Sequence, residues 1–282
     1  MTEKEDKKLN DCYQELFEKV VELQLKYSNQ MIAGNMMAQA LRIYKSTLDD
    51  KGFEAMVDTI SDSRNKIDLR VLSGKIIVSE DLIFEEPVKI MPGTVFLLDK
   101  KVNIIFKNKV EALGKKDDKI IFKAYSKDPW GTVALLGKNS SDSKFNFIEF
   151  YDGSGNFSEQ FTFTSMFSLH NTSNIELKNI NFKNNHYFDD MLHVIYSSDI
   201  KMDNLSFFNA FGDAIDIDVC NNIVISNSSF FNSNNDGIDL MESNVDIFNV
   251  NIVNSADKAI SIGEASIAKL NNSTLEKNKI AI

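Results

Sequence analysis

Asparagine returns through the second half of this chain at a nearly fixed interval. Asn179, Asn204, Asn227, Asn249 and Asn272 recur at steps of 25, 23, 22 and 23 along the sequence. Five positions downstream, Asn184, Asn209, Asn232 and Asn254 repeat the spacing at 25, 23 and 22. An apolar column, Leu192, Ile215, Ile238 and Ile260, is spaced 23, 23 and 22. Three columns sharing one period make an internal repeat. A unit this short cannot bury an apolar face alone and must stack on its neighbours. The local texture is β. Lys75-Ile76-Ile77-Val78, Val95-Phe96-Leu97-Leu98 and Lys119-Ile120-Ile121-Phe122 are short apolar runs, with Pro92-Gly93 and Gly114 among the turn residues. The spacing predicts an all-β parallel solenoid over 67–282, with about 23 residues per coil and about nine turns. Isoleucines stack inside it. Asparagines sit at corners, where they tolerate left-handed backbone and can bond from coil to coil.

The stretch before the solenoid follows a different rule. Leu9, Tyr13, Leu16, Val20, Leu23 and Tyr27 step by 4, 3, 4, 3 and 4, a heptad-type seam. Met36, Met37, Ala40, Leu41, Tyr44 and Leu48, then Phe53, Met56, Val57 and Ile60, continue the helical pattern. Residues 1–66 are thus expected to be a short α-helical region. It serves either as helices packed on each other and capping the solenoid, or as a coiled-coil linker that makes a homo-oligomer. The final strand-like run, Asn278-Lys279-Ile280-Ala281-Ile282, aligns with Lys258-Ala259-Ile260-Ser261-Ile262 and has no cap after it. The solenoid is therefore expected to be truncated at its C-terminal end, as part of a longer chain.

Composition narrows the function classes. The chain is 43% hydrophobic and 26% charged, which excludes wholesale disorder. It has no apolar run of membrane-span length, and Met1-Thr2-Glu3-Lys4-Glu5 does not open a signal peptide. A cytoplasmic location is expected if Met1 is the native start. Cys12 and Cys220 lie in different regions, too few and too far apart for a disulfide framework. The net charge of -10 argues against nucleic acid as a partner. Most of it is local, because residues 198–266 hold nine aspartates and two glutamates against two lysines.

The run Asn221-Asn222-Ile223-Val224-Ile225-Ser226-Asn227-Ser228-Ser229-Phe230, closed by Asn235-Asp236-Gly237-Ile238-Asp239-Leu240, resembles the right-handed parallel β-helix repeat of the pectate-lyase-like superfamily. Val88-Lys89-Ile90-Met91-Pro92-Gly93-Thr94 is similar to its first-coil signature. The resemblance covers about 70–282 and implies a right-handed solenoid. It also implies a polysaccharide as partner, for a superfamily of lyases, polygalacturonases, epimerases, tailspikes and adhesins. It does not select among them. The arginines, Arg42, Arg64 and Arg70, all precede the main repeats, so the arginine base of pectate lyases has no counterpart beyond Lys258. The Asp-Pro-His motif of mannuronan epimerases is absent, and the polygalacturonase set is unmatched.

The repeat also fixes which residues face out. With Ile215 and Ile217 inside, Asp216 points outward. Its column reads Ser168, His193, Asp216, Asp239, Ser261, and three residues earlier runs Asp190, Asp213, Asp236, Lys258. Asp213, Asp216, Asp236, Asp239, His193 and Lys258 are the candidate catalytic residues. Crowded carboxyls separate into acid and base, which suits glycan chemistry. Asp213, Asp216, Asp236 and Asp239 are equally a candidate calcium set. Against both stands a plainer reading, in which these aspartates stabilise turns and solvate the surface. Two functions follow. One is a polysaccharide-binding or polysaccharide-processing domain of lyase, hydrolase or epimerase type. The other is a non-catalytic structural, adhesion or tailspike-like scaffold.

Overall fold

The computed structural model describes residues 3–24, 26–62, 69–157 and 162–282. The chain divides into two compact units, residues 1–67 and 68–282. The 66/67 boundary expected from the sequence lies outside the described residues.

The first unit holds three helices, α1 (Glu3–Gln24), α2 (Asn29–Thr47) and α3 (Asp50–Asp62). Ser28 caps α2, its side chain accepting from the Met31 amide. Asp49 does the same for Gly52 at the start of α3, at 2.8 Å. Ile32 of α2 is buried, but the heptad positions Tyr13, Leu16 and Tyr27 are exposed. The side chain of Leu9 lies outside the described residues. No helix among the described residues is long and apolar enough to cross a membrane.

The second unit is a parallel β-solenoid. A representative coil has three strands, Asn221–Ser226, Ser229–Ser233 and Ile238–Met241. The first strand position stacks nine deep, from Arg70–Leu72 to Ile267–Asn271, which sets the number of turns. The third position forms a separate eight-stranded sheet. Among the described strands, pairing is parallel except in one short hairpin, Asn156–Phe157 with Thr162–Phe163. Register follows the repeat: Leu192 pairs with Ile215, Ile215 with Ile238, and Ile238 with Ile260. The early coils are less regular. Arg70 pairs with Val88, Val88 with Val110, and Glu111 with Lys144, so the sequence step between partners grows from 18 to 22 to 33.

The core is filled by repetition of one shape. Phe96, Phe122, Phe150, Phe182, Phe207 and Phe230 form an unbroken stack, with successive ring centroids 4.6, 4.9, 5.0, 4.7 and 5.0 Å apart. Offset stacking of buried rings adds to the transfer energy of each. Trp130 is also buried, and its Nε1 donates to the Tyr151 carbonyl at 2.7 Å.

The corner asparagines are left-handed. Asn184, Asn209, Asn232 and Asn254 have φ of 57, 61, 61 and 66°. Their amides bond in series: Asn209 Nδ2 donates to Asn184 Oδ1 at 2.9 Å, Asn232 to Asn209 at 3.0 Å and Asn254 to Asn232 at 2.8 Å. One residue type thus answers both the backbone need and the side-chain need of the corner. Replacing Asn209 by Ala loses two hydrogen bonds and forces an unsuited residue into φ > 0. The expected cost is about 2 kcal/mol. Asn209→Gly keeps the backbone conformation and should cost about half of that. Urea unfolding of the two variants side by side measures the difference.

Candidate functional site on the outward face of the eight-stranded sheet

Strands Asp190–Ile195, Ile215–Asp218 and Ile238–Met241 bring the predicted residues together. Alternation turns Leu192, Val194, Ile215, Ile217, Ile238 and Leu240 inward, all buried. His193, Asp216 and Asp239 then face out, and they are direct neighbours in register, with Ser168 before and Ser261 after. Parallel strands hold such neighbours about 4.8 Å apart.

The second expected column sits at the leading corner and does structural work as well. Asp213 Oδ1 accepts from the backbone N–H of Asp236 at 2.5 Å, and Asp236 Oδ1 accepts from that of Lys258 at 2.6 Å. The turn-stabilising role is therefore present, but each carboxyl serves the next coil rather than its own turn. Gly212 makes the corner tight: its N–H donates to the Asp189 carbonyl at 2.7 Å, and a Cβ there would lie 2.5 Å from that oxygen. Lys258 is held by Asp257 at 3.0 Å and Asp236 at 3.8 Å, and these charges raise its pKa. It stays a cation and is a poor base.

Burial and crowding set the protonation states. Asp213 is pushed up to about 7, first by desolvation and then by the charges of Asp236, Asp239 and Asp189, against the hydrogen bond from Asp236. Asp216 is also pushed up to about 7, by desolvation and by Asp218 and Asp239, with His193 opposing. Burial raises Asp236 and, far more, Asp190. His170 is lowered to about 4 by burial and by His193.

Several participants were not among the expected residues. Phe163, in the hairpin, packs with Ile105 and Ala134 over the neighbouring stretch of this face. The His170 ring lies 5.0 Å from that of Phe163 and 5.2 Å from that of His193. Thr164 Oγ1 contacts Asp190 Oδ2 at 3.0 Å and His193 Nδ1 at 3.2 Å. The hairpin belongs to an irregular coil, so the periodic alignment carried no signal for it. Asp189 also joins the site, and Asp218, two residues beyond Asp216 on the same strand, extends the outward patch as the repeat implies. Among the described residues, the ligand-type groups that converge within 4.8 Å are Asp189 with Asp190 and Asp213, and His193 with Asp216 and Asp218. The expected calcium set is thus divided: Asp213 and Asp216 fall in different clusters, and Asp236 and Asp239 in neither. Of the aromatics, Phe207 is core, whereas Tyr187 and Phe211 at the leading corner and Tyr196 at the trailing corner are more than half exposed.

A raised carboxyl pKa in the folded state means that folding takes up a proton between the ordinary value of 3.8 and about 7. Stability from Asp213 is therefore full below the ordinary value and lost as pH rises through 7. His170 has the opposite sign between about 4 and 6.5. From pH 6.5 to about 8 the His170 contribution is complete, while Asp213 and Asp216 should each cost about 1 kcal/mol. The melting temperature is expected to fall over that interval. Asp213→Asn should flatten the fall, and a melting series in matched buffers measures both.

Solved structures give distant likenesses. ORF18 of Geobacillus virus E2 aligns over 75% of this chain and 52% of its own, at 8% identity and TM-score 0.39. Pantoea stewartii WceF, a glycan biofilm modifying enzyme with a bacteriophage tailspike-like parallel β-helix fold, aligns over 84% and 36%, at 10% identity and TM-score 0.34. The A-module of Azotobacter vinelandii mannuronan C-5 epimerase AlgE4 aligns over 74% and 88%, at 9% identity and TM-score 0.15. The chain therefore spans about half the length of the first and about a third of the second. No curated protein matches the sequence. Residues 132–281, more than half of the chain and the part that carries the repeat, match the right-handed β-helix region family, and the chain belongs to that family.

Proposed function

We propose that this face binds an extended polysaccharide and hydrolyses it with two carboxyl groups, Asp213 as proton donor and Asp239 as its counterpart one coil away. The observation that carries the reading is the contrast in their surroundings. Asp213 is buried and pushed up to about 7, so it holds a proton near neutral pH, while Asp239 is half-buried and open to solvent. Two carboxyls in unlike environments supply the acid and the base of glycosidic cleavage. Asp213 gives its proton to the bridging oxygen as the C–O bond breaks. Asp239 takes the role of base or nucleophile, and water supplies the hydroxyl and proton that close the balance. Exposed Phe211 and Tyr187 at the same corner offer flat apolar faces to sugar rings. With no arginine in the repeats, hydrolysis fits better than arginine-based elimination. A glycan array and a polysaccharide-degradation screen, with and without Ca²⁺, test the reading. At least one polymer should be bound and shortened. If folded protein binds and cleaves nothing, the reading is lost.

A second reading, the scaffold, is favoured by the exposed heptad positions Tyr13, Leu16 and Tyr27. A second copy would cover them. A solution mass of one chain, at concentrations well above micromolar, would contradict it.

A further inference from the structure

Beside the carboxyl pair lies a constellation that glycan hydrolysis does not use. The His193 side chain is 10% exposed, and its Nε2 has no hydrogen-bond partner. Its other nitrogen is committed. Thr164 Oγ1 lies 3.0 Å from Asp190 Oδ2 and 3.2 Å from His193 Nδ1, so the threonine hydroxyl ties the imidazole to the buried Asp190 carboxyl. Nδ1 thus has its partner, whereas Nε2 is buried without one. Nε2 faces Asp218 Oδ2 at 3.5 Å and Asp216 Oδ2 at 3.8 Å, beyond good hydrogen-bond length. Three ligand-type atoms thus converge, and no hydrogen bond ties the imidazole nitrogen to either carboxyl, an arrangement that a cation between them would stabilise.

The spacing suits a small ion. Metal–ligand bonds of about 2.0–2.2 Å to zinc place tetrahedral ligands roughly 3.4 Å apart. Calcium prefers six or more oxygens and longer bonds, whereas one imidazole and two carboxylates match the zinc class. Asp216 and Asp218 remain about one-fifth exposed, which leaves a path for the ion and an open position for water or a sugar oxygen. We propose that His193 Nε2, Asp216 and Asp218 bind a divalent transition-metal ion of the zinc class, with Thr164 and Asp190 as positioning residues that orient the imidazole. Such an outer hydrogen bond to a ligating histidine fixes its tautomer and aim.

Calorimetric titration of chelator-treated protein with zinc, manganese and calcium chloride tests this without any sugar, so its outcome is independent of the glycan reading. One zinc ion per chain should bind, and calcium should not displace it. Asp218→Asn should weaken zinc binding at least about 100-fold, and Thr164→Val by about 10–100-fold. Asp246→Asn, which removes a carboxylate paired with Lys269 at 3.3 Å elsewhere, should leave it unchanged. Circular dichroism confirms that each variant is folded. The proposal is overturned if folded native protein takes up no zinc, or if Asp218→Asn and His193→Gln both bind it with native affinity.

Discussion

Asp213→Asn is expected to lower polysaccharide turnover by about 10²–10⁴-fold while leaving the fold and the sugar affinity in place. Asparagine has the shape of a protonated aspartate. Its carbonyl can still accept from the Asp236 N–H that Asp213 Oδ1 now serves. What it cannot do is release a proton to a leaving oxygen. Asp239→Asn should cost a similar factor by removing the counterpart. The native rate should fall as pH rises through about 7, because the acid must be protonated to work. Initial rates on the best polymer from the screen, followed as reducing ends across pH, measure all three effects. If Asp213→Asn retains native turnover, the acid is elsewhere.

Phe182→Ala should produce the largest loss of stability of any single change considered. Phe182 is fully buried, with Phe150 at 5.0 Å on one side and Phe207 at 4.7 Å on the other. Truncation removes its transfer energy, leaves a cavity and breaks the stack at its middle. The expected cost is about 3–5 kcal/mol. A domain of ordinary stability has about 5–15 kcal/mol to lose. In a solenoid each coil is held only by its neighbours, so a gap between two coils weakens both interfaces. Phe208→Ala is the control: Phe208 stacks on Phe231 at 5.1 Å on the outside and is half-buried. It should cost less than about 1 kcal/mol. Urea unfolding of both variants gives the comparison. Equal losses would mean that the inner stack is not what holds the coils together.

The regular coils were legible because stacking makes position in the repeat equivalent to position in space. Once Leu192, Ile215, Ile238 and Ile260 were aligned, the outward row of His193, Asp216 and Asp239 followed, and the strand register agrees. The phenylalanine stack had a signal too, since Phe182, Phe207 and Phe230 recur at steps of 25 and 23. It extends to Phe96, Phe122 and Phe150, where the coils lengthen and the period fails. The site was only half visible for the same reason. Phe163, in a hairpin strand, and Thr164, in the link that follows it, reach the site from an irregular coil, where no periodic rule applies. Asp189 gains its place from the tight corner at Gly212, a contact that residue spacing does not encode. Nor does the period encode the bond that Asp213 and Asp236 each accept from the next coil's backbone.

Asp213 is the carboxyl that its place in the coil keeps protonated near neutral pH. Carbon-13 carboxyl NMR of aspartate-labelled protein, with Asp213 assigned by comparison with Asp213→Asn, measures that state directly. The Asp213 resonance should titrate with a midpoint near 7 and shift to lower pH in Asp239→Asn, which removes one of the charges that raise it. A midpoint near the ordinary 3.8 in the folded native protein would contradict the account.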